Sequence, residues 1–347
     1  MTHVATQAAL EFIPASIFRA DDIRGVAQQQ LTSQSVKLIG ETIASEALGQ
    51  NITSLLVGYD GRLSSPPLSI ALIAGIRNSG CSVVNIGLVP TPLLFFAAYT
   101  TGYTSGVILI ASHSPANYNG MEIVFNQSSL AENQIQEIRS CIENNQLKHG
   151  SGGFAELEVD HSHIDNICSR IKLSKPLKIV IDCGNAVPGK IAPALFQQLG
   201  CDVHPIFCEI DGSFPNHHPD PTVPENLAAL ASTVLEKNAD IGIVLDGDGG
   251  RIGLITNCGK FVNADRMLML LVQSILPNYP GRTVVFDVKC TSKLGAFVEQ
   301  CGGTPVMHRS GHSFMKQKMW ETNAILGGEF ASYIFIKDNW FGFDDGL

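Results

Sequence analysis

The chain has 347 residues, enough for two or three domains, with 45% apolar and 16% charged residues. That balance suits a globular protein with sizeable cores rather than a disordered or membrane-spanning one. A net charge of −9, with no block of lysine or arginine, argues against nucleic acid as a partner. No apolar run reaches transmembrane length and no signal sequence opens the chain, so a cytoplasmic protein with no membrane association is expected. The nine cysteines contain no C-x-x-C pair, which leaves them as reduced small hydrophobes.

After a polar, loose opening through Leu10, the segment 17–25 carries two arginines and two acids among apolar residues. By itself it reads as a surface ion-paired loop. Helical spacing runs over 33–48, followed by a short strand at 55–57 that ends at Asp60-Gly61-Arg62. A helix at 68–76, a strand at 82–86 and a helix opened by Pro90-Thr91-Pro92 come next. The apolar run Val107 to Ala111 then stops at Ser112-His113-Ser114-Pro115, where proline forces a turn. A strand at 120–125 and a helix at 132–144 complete this stretch, and 150–153 reads as a glycine-rich linker.

The grammar then repeats. A strand at 177–182, a helix at 190–199, a short strand near 203 and a helix at 225–237 precede the strand 241–245. That strand runs into Asp246-Gly247-Asp248-Gly249-Gly250-Arg251. From 258 onward come a helix at 264–275, a strand at 283–288 ending at Lys289, and a helix at 292–300. Strands at 305–307, 324–326 and 333–336 follow. Alternating strands and helices imply parallel pairing. The expected fold is α/β: three consecutive similar α/β domains with mixed, mostly parallel sheets at 11–150, 155–257 and 258–347, and no fourth domain. Their strand-end loops are expected to face a common cleft.

Three loops carry chemistry. A serine on a strand-end turn is a candidate nucleophile, although Ser-His-Ser-Pro is also an ordinary polar turn. Two carboxylates separated by one glycine, Asp246 and Asp248, suit a hard cation, and Arg251 suits a phosphate. Together they suggest phosphoryl transfer, with Arg24, Arg62, His113 and Lys289 as candidate basic groups. His217 and His218 with Asp211 and Asp220 offer a weaker metal reading against that of a packed, hydrogen-bonded loop. A phosphatase with Asp246 as nucleophile is less well supported, because no Thr or Ser follows where such a loop supplies one.

The motifs at 18–25, 60–62, 111–113, 211–227, 246–251, Lys289 and 328–329 occur in the order seen in the α-D-phosphohexomutases, and the chain resembles the bacterial phosphomannomutase/phosphoglucomutase branch. The resemblance runs from Ile13 to the last residue. It implies an isomerase of carbohydrate metabolism that moves a phosphoryl group within hexose phosphates through a hexose bisphosphate. It implies Ser112 as the phosphoserine, with Ser112, Asp246 and Asp248 holding Mg2+. Arg24, His113 and Lys289 are implied as catalytic groups, and Glu329, Arg251 and His312 as substrate-binding groups.

Several positions depart from the family pattern. Asparagine after Ser-His is Ser114, a lysine in the next strand is Glu122, and the third metal-binding aspartate is Gly250. The sugar loop reads Gly328-Glu329-Phe330-Ala331-Ser332-Tyr333, without the family's serine and histidine, and an aromatic residue is replaced by Asp21. A glutamate near a phosphate repels it, and fewer carboxylates weaken metal binding. The expectation is an impaired mutase, with a non-catalytic sugar-phosphate-binding or partner-binding protein as the alternative.

Overall fold

A computed structural model describes residues 13–347, so the loose opening expected through Leu10 lies outside the described residues. The chain forms two compact units, one ending at Val159 and the other running Asp160–Leu347.

The first unit is built on one sheet. Its strands are β1 (Ile23–Val26), β2 (Ser54–Tyr59), β3 (Ser82–Leu88), β4 (Gly106–Leu109), β5 (Tyr118–Phe125), β6 (Ser128–Ser129) and β7 (Phe154–Glu156). Their order is β1-β5-β4-β2-β3-β7, with β6 paired to β5. The β4-β2-β3-β7 portion is parallel, while β1, β5 and β6 are antiparallel additions. The segment 17–25 is therefore not a surface loop. Phe18 and Asp22 are buried, and Ile23 and Arg24 pair with Met121 and Gly120 of β5.

Helix Ser33–Gly49 starts at Thr32, whose side chain accepts from the Ser35 N–H while Ser35 reaches back to the Thr32 N–H. Its Val36, Ile39 and Ile43 join Leu72 and Ile76 of helix Ser65–Asn78 over one face of the sheet. The two helices meet closely: a Cβ at Gly75 would overlap the Lys37 carbonyl, and one at Gly40 would come within 2.7 Å of the Leu72 carbonyl. Helix Thr91–Thr100, buried from Thr91 to Ala98, packs from the other face, with Leu94 against Gly106. The stretch 150–153 is not a loose linker. Gly150 and Gly152 donate to the Asn78 and Arg77 carbonyls, and Gly152 lies so close to the Cys81 carbonyl that a side chain would not fit.

The second unit carries two sheets. One holds β8 (Lys178–Asp182), β9 (Asp202–Ile206), β10 (Ile241–Leu245), β11 (Ile252–Thr256) and β12 (Phe261–Val262) in the order β12-β11-β10-β8-β9. The other holds β13 (Thr283–Asp287), β14 (Thr304–His308), β15 (Leu326–Gly328) and β16 (Ile334–Ile336) in the order β14-β13-β15-β16. In each, the strands pair in parallel from one edge inward and antiparallel at the other edge, β11 and β12 in the first sheet and β16 in the second. Helix Ala228–Lys237 covers Val180 and Val244. Helices Ala264–Ile275 and Leu294–Gln300 cover Val284 and Phe286, and helix His312–Thr322 covers the opposite face at Val285 and Phe335. An apolar groove of about 450 Å³, lined among others by Leu254, Leu270, Ile336 and Trp340, lies within this unit. Among the described residues no helix is long and apolar enough to cross a membrane.

Candidate active site

In the first unit the site is built from the end of β4. The buried run Ile110-Ala111 delivers Ser112, which is 2% exposed and has φ +43°, a left-handed conformation that a non-glycine residue adopts only when its surroundings impose it. Arg62 imposes it. This fully buried guanidinium donates to the carbonyls of Ser112 (2.8 Å), Ser114 (2.7 Å) and Pro115 (2.6 Å). Asp60, two residues earlier, holds the Arg62 Nε at 3.1 Å and accepts from Ser65 Oγ at 2.6 Å. Asn119 ties the same turn to β5 by donating to Ser64 and Ser65.

Arg62 therefore serves as a clamp on the loop, with its donors turned to protein carbonyls, whereas sequence reasoning placed it among phosphate-binding candidates. Two of the other expected residues, His113 and Arg24, lie beside the same loop. The His113 Nδ1 lies 3.3 Å from Ser112 Oγ, and Arg24 donates to Ser114 Oγ at 2.9 Å while pairing with Asp22. Glu122 lies level with Ile108 on β5, is 2% exposed, and accepts from Ser129 Oγ at 2.9 Å.

In the second unit the acid-and-glycine loop is the turn between antiparallel β10 and β11. Asp246 is fully buried and accepts the Arg251 N–H at 3.0 Å. The Arg251 guanidinium faces Asp246 at 3.8 Å and Asp220 at 3.9 Å, and its Cζ lies 4.6 Å from the centre of the Tyr333 ring. The Tyr333 ring in turn stacks on His312, 5.4 Å between centroids. Burial and the acids Asp246, Asp248 and Asp344 push the Tyr333 hydroxyl well above its ordinary value, so it stays neutral. Asp344 is paired with Lys316 at 2.8 Å and lies 3.9 Å from His312 Nδ1. Asp344 and Lys316 were not singled out from the sequence, because nothing in a Phe-Asp-Asp-Gly or Met-Lys-Gln stretch marks a residue that will meet this loop.

Glu329 sits at the end of β15, 3% exposed, and accepts the Gly311 N–H at 2.8 Å. Burial pushes its carboxyl up to about 7, against that hydrogen bond and the nearby His312. The folded chain therefore keeps this proton to a higher pH than the unfolded chain, whose carboxyl titrates near ~4.3. Stability falls as pH rises from there to about 7, and above that the penalty is complete. Glu329→Gln keeps an acceptor for Gly311 and removes the titration. Its stability relative to the parent, measured by urea unfolding, should be more favourable at about pH 8 than at about pH 5. The same difference at both values would contradict this account. Lys289 stands exposed on the turn after β13, two residues beyond Asp287, whose carboxylate holds Ser310 Oγ and the Phe330 N–H.

The donor set decides whether this loop suits a divalent cation. One Asp246 oxygen takes the Arg251 N–H and the other faces the Arg251 side chain. A Cβ on Gly250 would lie 3.7 Å from Asp248 Oδ1, so the position is directed at the pair but carries no carboxylate. Among the described residues no three of His, Cys, Asp or Glu are grouped to hold a metal ion. The loop by itself does not fit a resident Mg2+. The alternative histidine site does not form either. His217 bonds Asp182 at 3.0 Å and the His218 carbonyl, while Asp211 and Asp220 accept from Ser213 and Thr222, as expected of a packed loop. Burial opposes charge on His217, but its Asp182 partner outweighs that and raises its pKa.

Residues 15–149, 161–259 and 263–347 match the alpha/beta/alpha domains I, II and III of phosphoglucomutase/phosphomannomutase. The chain is 48% identical over 335 residues to a phosphomannomutase/phosphoglucomutase of Pseudomonas aeruginosa, covering 96% of this chain and 72% of that one. It is 41% identical over 337 residues to a phosphoglucomutase of Neisseria gonorrhoeae, covering 96% and 73%. A crystal structure of a phosphoglucomutase/phosphomannomutase family protein from Burkholderia thailandensis superposes with a TM-score of 0.94 at 41% identity, covering 96% of this chain and 75% of that one. With its three matched domains in order, the chain belongs to the phosphoglucomutase/phosphomannomutase family of α-D-phosphohexomutases, isomerases that work by intramolecular phosphoryl transfer.

Proposed function

We propose that this chain binds hexose phosphates and transfers a phosphoryl group at Ser112, but more slowly than its family's chemistry allows. Ser112 is the nucleophile, and His113, at 3.3 Å, takes its proton. Arg24, through Ser114, supplies positive charge for the phosphoryl oxygens, a role the family resemblance also implies for Lys289. Glu329 and His312 meet the sugar hydroxyls, and Arg251 its phosphate. The family resemblance implies Mg2+ at the acid-and-glycine loop, but with Gly250 in place of a third carboxylate the Asp246–Asp248 turn does not hold it unaided, so the roles above rest on protein groups alone.

One observation supports the reduced rate most directly. The Arg251 guanidinium lies over the Tyr333 ring and between Asp246 and Asp220, 7% exposed, so a group needed for substrate is held inside the protein. The test is a coupled assay with glucose 1-phosphate or mannose 1-phosphate, Mg2+ and a hexose bisphosphate. Turnover should fall at least tenfold below the ordinary enzyme value of about 10 per second. Ordinary turnover would refute the impairment. Intact mass after incubation with the bisphosphate should show one phosphate, on Ser112. The same held-down Arg251 favours a second reading, sugar-phosphate binding without transfer. Calorimetric binding with Ser112 left unmodified would select it.

A further inference from the structure

Two thiols of the second unit, neither used in the phosphoryl-transfer roles, lie against each other. Cys183 follows β8 and Cys208 lies two residues beyond β9, and these strands are parallel neighbours in register up to Asp182 opposite Ile206. The Cys183 N–H reaches the Ile206 carbonyl at 3.4 Å and the Asn185 N–H the Phe207 carbonyl at 2.7 Å, so the two strand ends stay side by side beyond the sheet. Phe207 has φ +51°, a left-handed conformation that costs energy for a bulky residue. That bend turns Cys208 back toward β8. Its sulfur lies 3.2 Å from the Cys183 sulfur. Gly189 packs so tightly against the Cys208 carbonyl that a side chain there would overlap it, which fixes the Cys208 backbone. Paired strands about 4.8 Å apart hold their Cα atoms near the disulfide range of about 4.4–6.8 Å.

We propose that Cys183 and Cys208 form a reversible dithiol/disulfide pair, a modification site driven by a low-molecular-weight disulfide such as oxidised glutathione. Cys208 is partly exposed and Cys183 is fully buried, which sets the order of events. The Cys208 thiol loses its proton to water and attacks one sulfur of oxidised glutathione. The glutathione S–S bond breaks, a Cys208–glutathione disulfide forms, and one glutathione thiolate leaves and takes up a proton. The Cys183 thiol then gives up its proton and attacks the Cys208 sulfur, expelling the second glutathione as its thiol. Two protons and two electrons pass from the protein to oxidised glutathione. The hydrogen-bonded contact with Cys208, together with burial, raises the Cys183 pKa, in keeping with its acting second.

The test uses the full chain with oxidised glutathione, followed by unfolding at low pH in urea, maleimide labelling and peptide mapping. Labelling should be lost at Cys183 and Cys208 together, with a product lighter by two hydrogen atoms, a linked 183–208 peptide, and recovery on adding dithiothreitol. Cys183→Ser should stop at a glutathionyl group on Cys208, and Cys208→Ser should give neither product. The parent chain decides without reliance on either variant. An unchanged thiol count, or a linkage that joins other cysteines instead, would overturn the proposal. So would a Cys183→Ser chain that does not accumulate the glutathionyl adduct.

Discussion

Arg62→Met is expected to be among the most destabilising single changes in the first unit, by roughly 3–5 kcal/mol, the cost of removing one partner from a buried ion pair. The methionine fills much of the volume, so the loss is electrostatic and polar rather than a cavity. Asp60 would be left as a buried charge, and the carbonyls of Ser112, Ser114 and Pro115 would lose their donor. Ser112, whose left-handed backbone is held by those bonds, should relax, and phosphate transfer from a hexose bisphosphate to it should disappear. Arg62→Lys should recover only part of the stability, because an ammonium cannot present a planar fork to a carboxylate and several carbonyls at once. Urea unfolding and intact mass read the two effects separately. A change of ~0.5 kcal/mol or less for Arg62→Met would show that the clamp is ornamental.

The second large effect concerns two positions that both depart from the family pattern. A Cβ on Gly250 would stand 3.1 Å from the Tyr333 ring and 3.3 Å from Asp344 Oδ2. Gly250→Asp alone therefore adds bulk against the ring and a third acid beside two others, and should cost about 1–3 kcal/mol. Tyr333→His alone removes the face on which Arg251 rests, a contact worth up to about 2 kcal/mol when desolvated. Combined, the smaller imidazole leaves room for the aspartate. The pair should then couple favourably by at least ~1 kcal/mol in a double-mutant cycle. Only the double variant should gain clearly from Mg2+, by about 1.4 kcal/mol at ten times its dissociation constant. Additive effects, or an equal response from the parent chain, would mean that Tyr333 is not what keeps a carboxylate out of position 250.

Much of this architecture was legible in the sequence because the chain marks its parallel strands plainly. Apolar runs such as 107–111 and 241–245 stop at Ser-His and Asp-Gly turns, and the turns carry the chemistry. Helix Thr91–Thr100, opened by Pro-Thr-Pro, was equally clear. Elements with mixed burial were not. Helix Asp160–Arg170 buries only His163, Ile164 and Ile167, and helix His312–Thr322 buries Ser313, Phe314 and Met315 in succession, so neither presents a clean apolar stripe. The short edge strands β1, β7 and β12 owe their pairing to neighbours distant in sequence. In the site, Ser112, His113 and Arg24 were legible as chemistry. The contacts of Asp344, Lys316 and Asp220 were not, because they arise when loops far apart in the chain meet around Arg251.

The buried Arg62 has a bearing on how related chains should be sorted. Its partners are all carbonyls and one carboxylate of the protein, so a chain that lost every trace of phosphoryl transfer would still need it in order to fold. Asp60-Gly61-Arg62 is thus a marker of descent, not of competence. Competence is better judged at positions that depart from the family pattern, such as 114, 122, 250 and 333, and a survey that scores those four apart from the scaffold motifs would separate working mutases from chains that have only kept their shape.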